Sequence, residues 1–295
     1  MDFRKVVIIP KKSKYEFDKS RLGLNEEELI EFYKKQGIRV ERIKESHDKQ
    51  EANLNKLKEI FHESRFIERD DFTKEIALEA DLIISFGGDN HFTYLSHFIK
   101  NRPILGINSD SQRSEGAMTS ARAEELKEVY EKLESGKYEI EEWPRLSVEV
   151  NGQIVDTLAV SELFLGEGSR KEMSRNILEF KGVKEQQKGA GMIVSTGVGS
   201  TGWYLSATRY LEGDFEAFSR TENLAKFVMS EPYKGRTADY SLITGEIKPG
   251  EELIVHSIND SNGVISFDSW KDYPFKEGSI AKIGLGESLK VVSFN

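Results

Sequence analysis

The sequence predicts an α/β domain with a mostly parallel, doubly wound sheet, followed by a β-rich domain. A length of 295 residues favours two domains over one. Apolar runs such as "KVVIIP" and "DLIISF" alternate with helical patterns in the first part, which is typical of a parallel sheet with helices on its faces. After Tyr138, alternating apolar and polar residues indicate antiparallel strands instead. We therefore expect an α/β domain over residues 1–138 and a β-rich domain over residues 139–280.

The first domain contains four predicted strands and the helices between them. Asn25 is a predicted N-cap, with acidic residues in the first turn of its helix and Gly37 after the end. A further helix over residues 121–136 has Ser120 as its predicted cap and Gly136 as its stop, while residues 11–23 are expected to form an exposed connection. The strands are expected at residues 5–10, 38–43 ("IRVERI"), 81–86 and 103–108, with a helical apolar stripe at Leu54, Leu57, Ile60 and Phe61.

In the second domain, Asn151-Gly152 lies between two alternating runs and predicts a hairpin turn. Further strands are expected in "RNILEFKG", "GMIVST", "ELIVHSI" and "GVISFDS".

Composition restricts the function further. A net charge of −9 argues against a broad nucleic-acid interface, and the absence of cysteine excludes disulfides and cysteine-ligated metals. The apolar run near the start is too short for a signal peptide, and nothing approaches the roughly 20 apolar residues of a membrane span. We therefore expect a cytoplasmic protein without a membrane segment.

The segment "SFGGDNHF" places Gly87, Gly88 and Asp89 directly after a predicted strand. Ligands of open α/β sheets bind at this end of the strands, and glycines let the backbone approach a phosphate closely. Asp89 could accept a proton from an attacking hydroxyl or hold Mg²⁺. The alternative is a tight turn in which the aspartate caps the next helix.

A second glycine-rich segment, "STGVGSTGW", matches G-x-G-x-x-G at Gly197, Gly199 and Gly202. A dehydrogenase would need an acidic residue ending a second strand about 20 residues later. The sequence that follows, "EGDFEAFSRTENLAKF", is polar and not strand-like, so a ligand-binding turn other than that of a dehydrogenase is the better interpretation.

Two more groups of residues are candidates. Glu162 shares a strand face with Phe164, and a carboxylate on a largely apolar face is costly unless it is paired or used. The loop "NSDSQRSEG" offers Arg113, which could counter a phosphate or form a surface ion pair of little consequence.

In this order, the segments resemble the ATP-dependent NAD kinase family. "GGDNH" matches its Gly-Gly-Asp-Gly-Thr motif, "SE" at 161–162 its Asn-Glu motif, and "STGVGSTGW" its Gly-Ser-Thr-Ala-Tyr segment. "VISFDSW" is similar to the strand that ends in Asp-Gly-Gln, and "GINSDSQRSEG" resembles the loop of the mitochondrial-type branch. The resemblance implies a phosphofructokinase-like α/β domain and a β-sandwich-like second domain. It also implies that a last strand within residues 281–295 returns to the first domain.

The resemblance further implies NAD and ATP as substrates, Mg²⁺ bound with ATP, and a homo-oligomer, either dimer or tetramer. Asp89 would be the catalytic base for the adenosine ribose 2′-hydroxyl, and Glu162 would hold ribose hydroxyls. Asn90 takes the place of a family glycine, and we expect it either to have a positive φ or to face the ATP phosphates. The substrate-binding residues implied by the resemblance are Gly87, Gly88, Asn90, Asn108, Ser161, Glu162, Ser195, Thr196, Gly199, Ser200, Thr201, Trp203 and Ser206, with Arg113 as a phosphate contact.

Two alternatives remain open at this point. A protein of this fold could bind a nicotinamide nucleotide without phosphorylating it, or could phosphorylate another hydroxyl substrate. The change from Gly-Thr to Asn90-His91 favours the first alternative, whereas the retained Asp89 favours the kinase.

Overall fold

We describe the protein from a computed structural model that covers residues 1–211, 216–233 and 240–294. The chain forms two compact units. The first comprises Met1–Glu141 together with Lys290–Asn295, and the second comprises Glu142–Leu289.

The first unit is built on a largely parallel sheet. Its strands β1, β3 and β4 are buried along almost their whole length, which explains why their sequences are continuous apolar runs rather than alternating ones. β1 pairs in parallel with β2 and β3, and β3 pairs in parallel with β4. The strands are β1 (Val6–Pro10), β2 (Arg65–Phe66), β3 (Leu82–Gly87), β4 (Ile104–Asn108), β5 (Ala121–Arg122) and β6 (Glu139–Trp143).

Helices accompany this sheet, and their apolar sides supply much of the core. Leu57 and Phe61 from one helix and Leu126 and Leu133 from another pack with the strand residues in one buried cluster. The helices are α1 (Lys14–Leu22), α2 (Glu26–Lys35), α3 (Val40–Ile60), α4 (Lys74–Glu79), α5 (Asp89–Ser96) and α6 (Leu126–Ser135).

The expected exposed connection over residues 11–23 is wrong, because most of it is helix α1. Ser13 and Glu16 form a capping box at its start, and Gly23 ends it with a φ of 64°. Tyr15 and Asp18 are buried, and the Asp18 carboxylate accepts a hydrogen bond from the Tyr33 hydroxyl at 3.0 Å. The capping box was present in the sequence, but the high density of charged residues concealed it.

The expected strand over residues 38–43 is also wrong, because helix α3 begins at Val40. Val40 is buried and Ile43 packs beside it against α1 and α2, a spacing of three residues that belongs to a helix. The alternation of Ile38 and Val40 fits a strand equally well over so short a stretch. The first turn of α3 therefore packs against α1 and α2, whereas its last turns pack against the sheet through Leu54, Leu57 and Ile60.

Ser120 does not cap helix α6. Its hydroxyl donates to the carbonyl of Val292 at 2.6 Å, and Ala121 pairs with Ile107 of β4. The chain thus forms a short strand before the helix starts at Leu126, and Gly136 ends the helix with a φ of 69° as expected.

The second unit consists of two antiparallel sheets with a shared apolar core. The sheet orders are β11-β10-β15-β18-β7-β8 and β14-β13-β12-β9-β16-β17. The core contains alternating residues of both, such as Val148 and Leu178 of the first sheet and Leu165 and Val194 of the second. The strands are β7 (Leu146–Val150), β8 (Gln153–Ile154), β9 (Glu162–Glu167), β10 (Ser174–Phe180), β11 (Val183–Gly189), β12 (Gly191–Ser195), β13 (Ala225–Ser230), β14 (Thr244–Ile247), β15 (Leu253–Ser257), β16 (Gly263–Phe267), β17 (Lys271–Pro274) and β18 (Ile280–Leu285).

The hairpin at Asn151-Gly152 is confirmed. Both residues have positive φ, 51° and 82°, as a two-residue turn between right-twisted strands requires. They connect β7 to β8, which pair in antiparallel fashion.

The segment after the glycine-rich turn contains a strand that the sequence analysis did not expect. Helix α7 (Trp203–Thr208) follows the turn, residues 212–215 lie outside the described part, and β13 begins at Ala225. β13 pairs with β12 in antiparallel fashion, with Val228 opposite Ile193, so the turn does not belong to a βαβ unit. The turn therefore lacks the βαβ context of a dehydrogenase, although "NLAKF" is in part a strand.

The chain returns to the first sheet through β19 (Leu289–Ser293). β19 lies between β4 and β6 and runs parallel to β4, with Val291 opposite Ile104. Val291 and Val292 are completely buried. Among the residues that the structure describes, no helix combines the length and apolar character needed to cross a bilayer.

Candidate functional site

In the first unit, the candidate site begins at the turn between β3 and α5. A Cβ atom at Gly87 would lie 2.9 Å from the His91 side chain and 3.0 Å from that of Lys11. One at Gly88 would lie 2.7 Å from the hydroxyl of Ser114. Both glycines are therefore required by close packing, and they bring the start of α5 against the loop that contains Ser114.

Asp89 is the first residue of α5, and its carboxylate is held by backbone. One oxygen accepts the N–H of Met118 at 2.8 Å and the other accepts that of Ala117 at 3.1 Å. The N-cap is Gly88, so the aspartate does not cap the helix with its side chain. Each oxygen retains a lone pair for a further donor, such as a substrate hydroxyl.

Asn90 has helical geometry, so the expectation of a positive φ is wrong. Gly88 is the N-cap and is extended, with φ −108° and ψ −172°, and helix α5 begins directly after it at Asp89. Asn90 occupies the second helical position and needs no special conformation. Its exposed side chain lines a cleft together with Lys11, Lys12 and Arg69, which keeps the other expectation, a contact with phosphate, open.

The side chain of His91 is buried next to Gly87, in the turn between β3 and α5. It is 1% exposed, and its Nε2 lies 2.9 Å from the carbonyl oxygen of Ile9. Burial lowers the pKa of His91 to about 4, so the ring is neutral at physiological pH. A neutral ring with a carbonyl acceptor carries its proton on Nε2.

The loop after β4 is held by Asn108. The Asn108 side chain donates to the carbonyl of Ser114 at 3.0 Å and accepts the N–H of Asp110 at 3.1 Å. Arg113, in the same loop, forms an ion pair with Glu45 at 3.2 Å. The loop thereby carries both Ser114, which touches the glycine turn, and the N–H groups that hold Asp89.

In the second unit, the candidate site lies where β9 and β12 pair, with Glu162 opposite Ser195. Burial, together with the nearby charge of Asp268, raises the pKa of Glu162 to about 7. The side chain can therefore donate as well as accept a hydrogen bond near neutral pH.

Asp268 fixes the backbone in front of Glu162. Its carboxylate accepts the N–H groups of Val160 at 2.9 Å, Ser161 at 2.8 Å and Glu162 at 2.9 Å. Asp268 and Ser269 have positive φ, 51° and 53°, in the connection from β16 to β17. This backbone conformation orients the Asp268 carboxylate toward three successive backbone N–H groups.

Several hydroxyl groups of the glycine-rich segment are used within the protein. Thr196 donates to the carbonyl of Val160 at 2.6 Å, Ser195 to that of Thr196 at 2.9 Å, and Ser200 to that of Gly197 at 2.7 Å. All three serine and threonine side chains are fully buried. They shape the turn, which leaves its backbone and its exposed residues to contact a ligand.

Gly199 brings this turn against Glu162. A Cβ atom at this position would lie 2.7 Å from the Ser195 hydroxyl and 2.9 Å from a carboxylate oxygen of Glu162. A larger residue would therefore displace the carboxylate.

The exposed part of the segment comprises Thr201, Trp203 and Ser206. The indole of Trp203 stacks on the ring of Phe164, with centroids 5.4 Å apart and planes inclined by 15°. Phe164 and Trp203 also line a cleft of about 360 Å³, together with Ser266 and Ser269. The flat aromatic surface and the neighbouring hydroxyl groups suit a ring-containing polar ligand.

No family model matches the chain. The human protein named "NAD kinase 2, mitochondrial" is 24% identical over an alignment of 313 residues, which covers 87% of this chain and 70% of that protein. A probable NADH kinase of Oryza sativa is 27% identical over 224 residues, covering 68% of this chain and 66% of the rice protein. An NAD kinase of Sulfurisphaera tokodaii is 35% identical over 135 residues, about half of its length.

Proteins named NAD kinase or NADH kinase are thus similar to this chain over two thirds or more of its length.

Solved structures of NAD kinases share the fold. An Archaeoglobus fulgidus NAD kinase in complex with ATP has a TM-score of 0.64, with 21% identity over 98% of this chain and 93% of that chain. A yeast NADH kinase complexed with NADH has a TM-score of 0.71, with 14% identity over 99% and 84%.

Two features of this NAD kinase fold are not evident from the sequence. The first is the anchoring of Glu162 by Asp268, which requires knowledge of the pairing between β9 and β16. The second is the set of cations around Asn90, which comes from Lys11, Lys12 and Lys14 after β1 and Arg69 after β2. The cluster "KKSK" is visible in the sequence and directly follows β1. Because residues 11–23 were expected to be an exposed connection, the lysines were not assigned to the site.

Proposed function

We propose that the protein transfers the γ-phosphoryl group of ATP to the adenosine ribose 2′-hydroxyl of NAD and thereby forms NADP. The observation that carries this proposal is the geometry of Asp89: a carboxylate at the carboxyl end of a parallel strand, held by two backbone N–H groups, with lone pairs left over. The relatives named NAD kinase support the choice of substrate.

Asp89 would act as the general base. It would accept the proton of the 2′-hydroxyl as that oxygen attacks the γ-phosphorus, and the bond from phosphorus to the bridging oxygen of ADP would break. The two N–H groups keep the carboxylate in one rotamer, so no reorganisation is needed when the hydroxyl arrives.

Glu162 would hold the ribose hydroxyls of NAD. A side chain with a pKa of about 7 can accept one hydroxyl proton and, when protonated, donate to another oxygen. The stacked rings of Trp203 and Phe164 offer a surface against which a nucleotide base could pack.

Mg²⁺ fits this arrangement as an ion that enters the site bound to the phosphates of ATP. Within the part of the chain that the structure describes, three or more ligating side chains come together only at Glu16, His47 and Glu51, and not around Asp89. Mg²⁺ in kinase sites usually keeps several waters and is bound largely through substrate phosphates. The ion, when bound with ATP, would neutralise charge on the phosphates and leave Asp89 free to act as the base.

Incubation of the purified protein with NAD⁺, ATP and Mg²⁺, followed by detection of NADP with an NADP-specific dehydrogenase, tests the proposal. NADP should form in proportion to enzyme and time. Calorimetric binding of NAD⁺ without any NADP would establish the alternative, a nucleotide-binding protein that is not a kinase.

The same proposal includes a homo-oligomer, dimer or tetramer, in the cytoplasm. Light scattering of the purified protein would give its mass relative to the 33.6 kDa chain. A mass of one chain at working concentration would overturn the assembly, and immunofluorescence or fractionation would test the location.

A further inference from the structure

Three side chains that can bind a metal ion come together where helices α1 and α3 pack. Glu16 lies in the first turn of α1, and His47 and Glu51 lie in the middle of α3. One ligand atom from each side chain lies within 4.8 Å of the other two. Among the residues that the structure describes, no other three histidine, aspartate or glutamate side chains meet in this way. The cluster includes none of the residues assigned to the nucleotide sites.

The spacing of His47 and Glu51 suits ligands of a shared ion. Residues four apart lie one above the other on the same face of a helix. Glu16 comes from a different helix, so an ion bound by all three side chains would connect α1 to α3. The pair on α3 is visible in the sequence, whereas the third ligand depends on the packing of the two helices.

The imidazole of His47 is held in place by two contacts. Its Nδ1 atom lies 2.9 Å from the Ser13 hydroxyl, and its ring stacks on Tyr15 with centroids 5.0 Å apart and planes inclined by 27°. Ser13 and Tyr15 are both buried. Hydrogen bonds to a metal-binding histidine usually fix the orientation of its ring. His47 therefore has its ring positioned before an ion arrives.

The two glutamates carry charges that the protein does not neutralise. The backbone N–H of Ser13 donates to one oxygen of Glu16 at 3.1 Å, which leaves the second oxygen for a cation. Within residues 1–211, 216–233 and 240–294, neither Glu16 nor Glu51 forms an ion pair. Both side chains are half-buried. Two like charges repel each other more strongly when water is partly excluded, and a cation between them would remove this repulsion.

Two lysines that lie near the cluster in the sequence form ion pairs elsewhere. Lys14 pairs with Asp18 at 2.6 Å, and Lys44 pairs with Glu26 at 2.6 Å. Asp18 is buried, which keeps Lys14 directed toward it. These two lysines therefore do not supply the positive charge that the cluster lacks.

We propose that Glu16, His47 and Glu51 bind a divalent transition-metal ion, with Zn²⁺ as the best match, and that this ion connects α1 to α3. Zn²⁺ accepts one imidazole nitrogen and two carboxylate oxygens as ligands, with water in the fourth position. The terminal torsions of glutamate are broad, so rotation of the two carboxylates can bring their oxygens to about 2.0–2.2 Å from one ion. Mg²⁺ prefers oxygen ligands and would gain little from His47. The site does not depend on kinase activity.

Calorimetric titration of the metal-free, untagged protein with ZnCl₂ tests the site. For His47→Ala and Glu51→Gln, the Kd should rise about 100-fold or more, because loss of even an outer partner of a metal ligand weakens binding about 10- to 100-fold. Glu16→Gln should have the same effect and keep the capping box, since glutamine also serves at its third position. MgCl₂ should give no binding that depends on His47.

His62 provides the matched control, because it is an exposed histidine just after α3 and outside the cluster. His62→Ala should leave the Zn²⁺ affinity unchanged. Co²⁺ in place of Zn²⁺ gives a second measurement, since its visible absorption reports its ligands. The bands should appear in the wild type and in His62→Ala, and should be absent in His47→Ala.

Thermal melting gives the effect of the ion on the folded protein. A ligand that binds only the folded state raises the Tm by mass action. Zn²⁺ should therefore raise the Tm of the wild type and of His62→Ala, but not that of Glu51→Gln. The inference would be overturned if the wild type did not bind Zn²⁺. It would also be overturned if His47→Ala and Glu51→Gln, folded by circular dichroism, bound Zn²⁺ with wild-type affinity.

Discussion

At the scale of single residues, the burial of Glu162 makes the free energy of unfolding depend on pH. Its pKa is 4.5 in an unfolded chain and about 7 in the folded protein, so the folded state binds this proton more tightly. The stabilising effect of the bound proton is complete below pH 4.5 and is lost as the pH rises through 7. Glu162→Gln cannot ionise, so its free energy of unfolding should exceed that of the wild type above pH 7, by up to about 3 kcal/mol.

Urea unfolding of both proteins at pH 4.5, 6 and 8 measures this difference directly. The gap between them should be small at pH 4.5 and should grow as the pH increases. Parallel pH dependences in the two proteins would show that Glu162 ionises freely in the folded state. Other titrating groups are common to both proteins and cancel in the comparison.

Asp89→Asn tests the proposed base. The amide preserves the size of the side chain and can still accept one backbone N–H, but it cannot take a proton from a hydroxyl. We expect kcat to fall by about 100-fold or more, with ATP and NAD⁺ affinities changed far less. Asp81→Asn, at an exposed position just before β3, is the matched control. Turnover close to that of the wild type would remove Asp89 from the chemistry.

At the scale of elements, the connection from β16 to β17 positions β9. Asp268→Ala would leave three N–H groups, those of Val160, Ser161 and Glu162, without their acceptor. We expect a loss of about 2–4 kcal/mol in the free energy of unfolding and weaker NAD⁺ binding, because hydrogen bonds to a charged group are among the stronger ones. Chemical denaturation and calorimetry measure the two effects.

Asp268→Asn is the informative companion variant. Asparagine tolerates the positive φ and retains an acceptor oxygen, so this variant should recover part of the stability and of the NAD⁺ affinity. Exposed Glu277, which follows β17, provides the control through Glu277→Ala. Equal stability of wild type and Asp268→Ala would mean that the three N–H groups find water instead.

The same connection shows where sequence reasoning succeeds. Buried strands such as β3 and the hairpin at Asn151-Gly152 follow from local patterns, because apolar runs and turn residues are specified within a few positions. The role of Asp268 is not local: it depends on the register of β9 against β16, with Phe267 opposite Leu163. The motif "FDSW" therefore marked the position of the aspartate without revealing what it holds.

The predictions for two short segments were wrong for a related reason. Ile38 and Val40 fit a strand, and only the packing of Val40 against α1 and α2 selects the helix. Asn90 was expected to turn the chain, whereas helix α5 already begins at Asp89 and Asn90 is helical. In both cases two local conformations were nearly equivalent, and tertiary contacts decided between them.

At the scale of the whole molecule, the first sheet depends on β19. Val292 is buried in the core of the first unit, so Val292→Asp would place an unpaired charge there and should cost more than about 4 kcal/mol. Hydrogen exchange should show protection lost in β1, β3 and β4, while Lys290→Asp, exposed on the same strand, should change little. Loss of protection confined to residues of the second unit would contradict this dependence.

The return of β19 also has a consequence for synthesis on the ribosome. The position between β4 and β6 stays open until Leu289–Ser293 has left the exit tunnel, and the second unit, Glu142–Leu289, has to be translated first. At about 5–20 residues per second, this interval lasts roughly 7–30 s. During it, the part of the β4 edge that pairs with β19 is open to other strands, whereas the second unit can close within its own continuous stretch of chain.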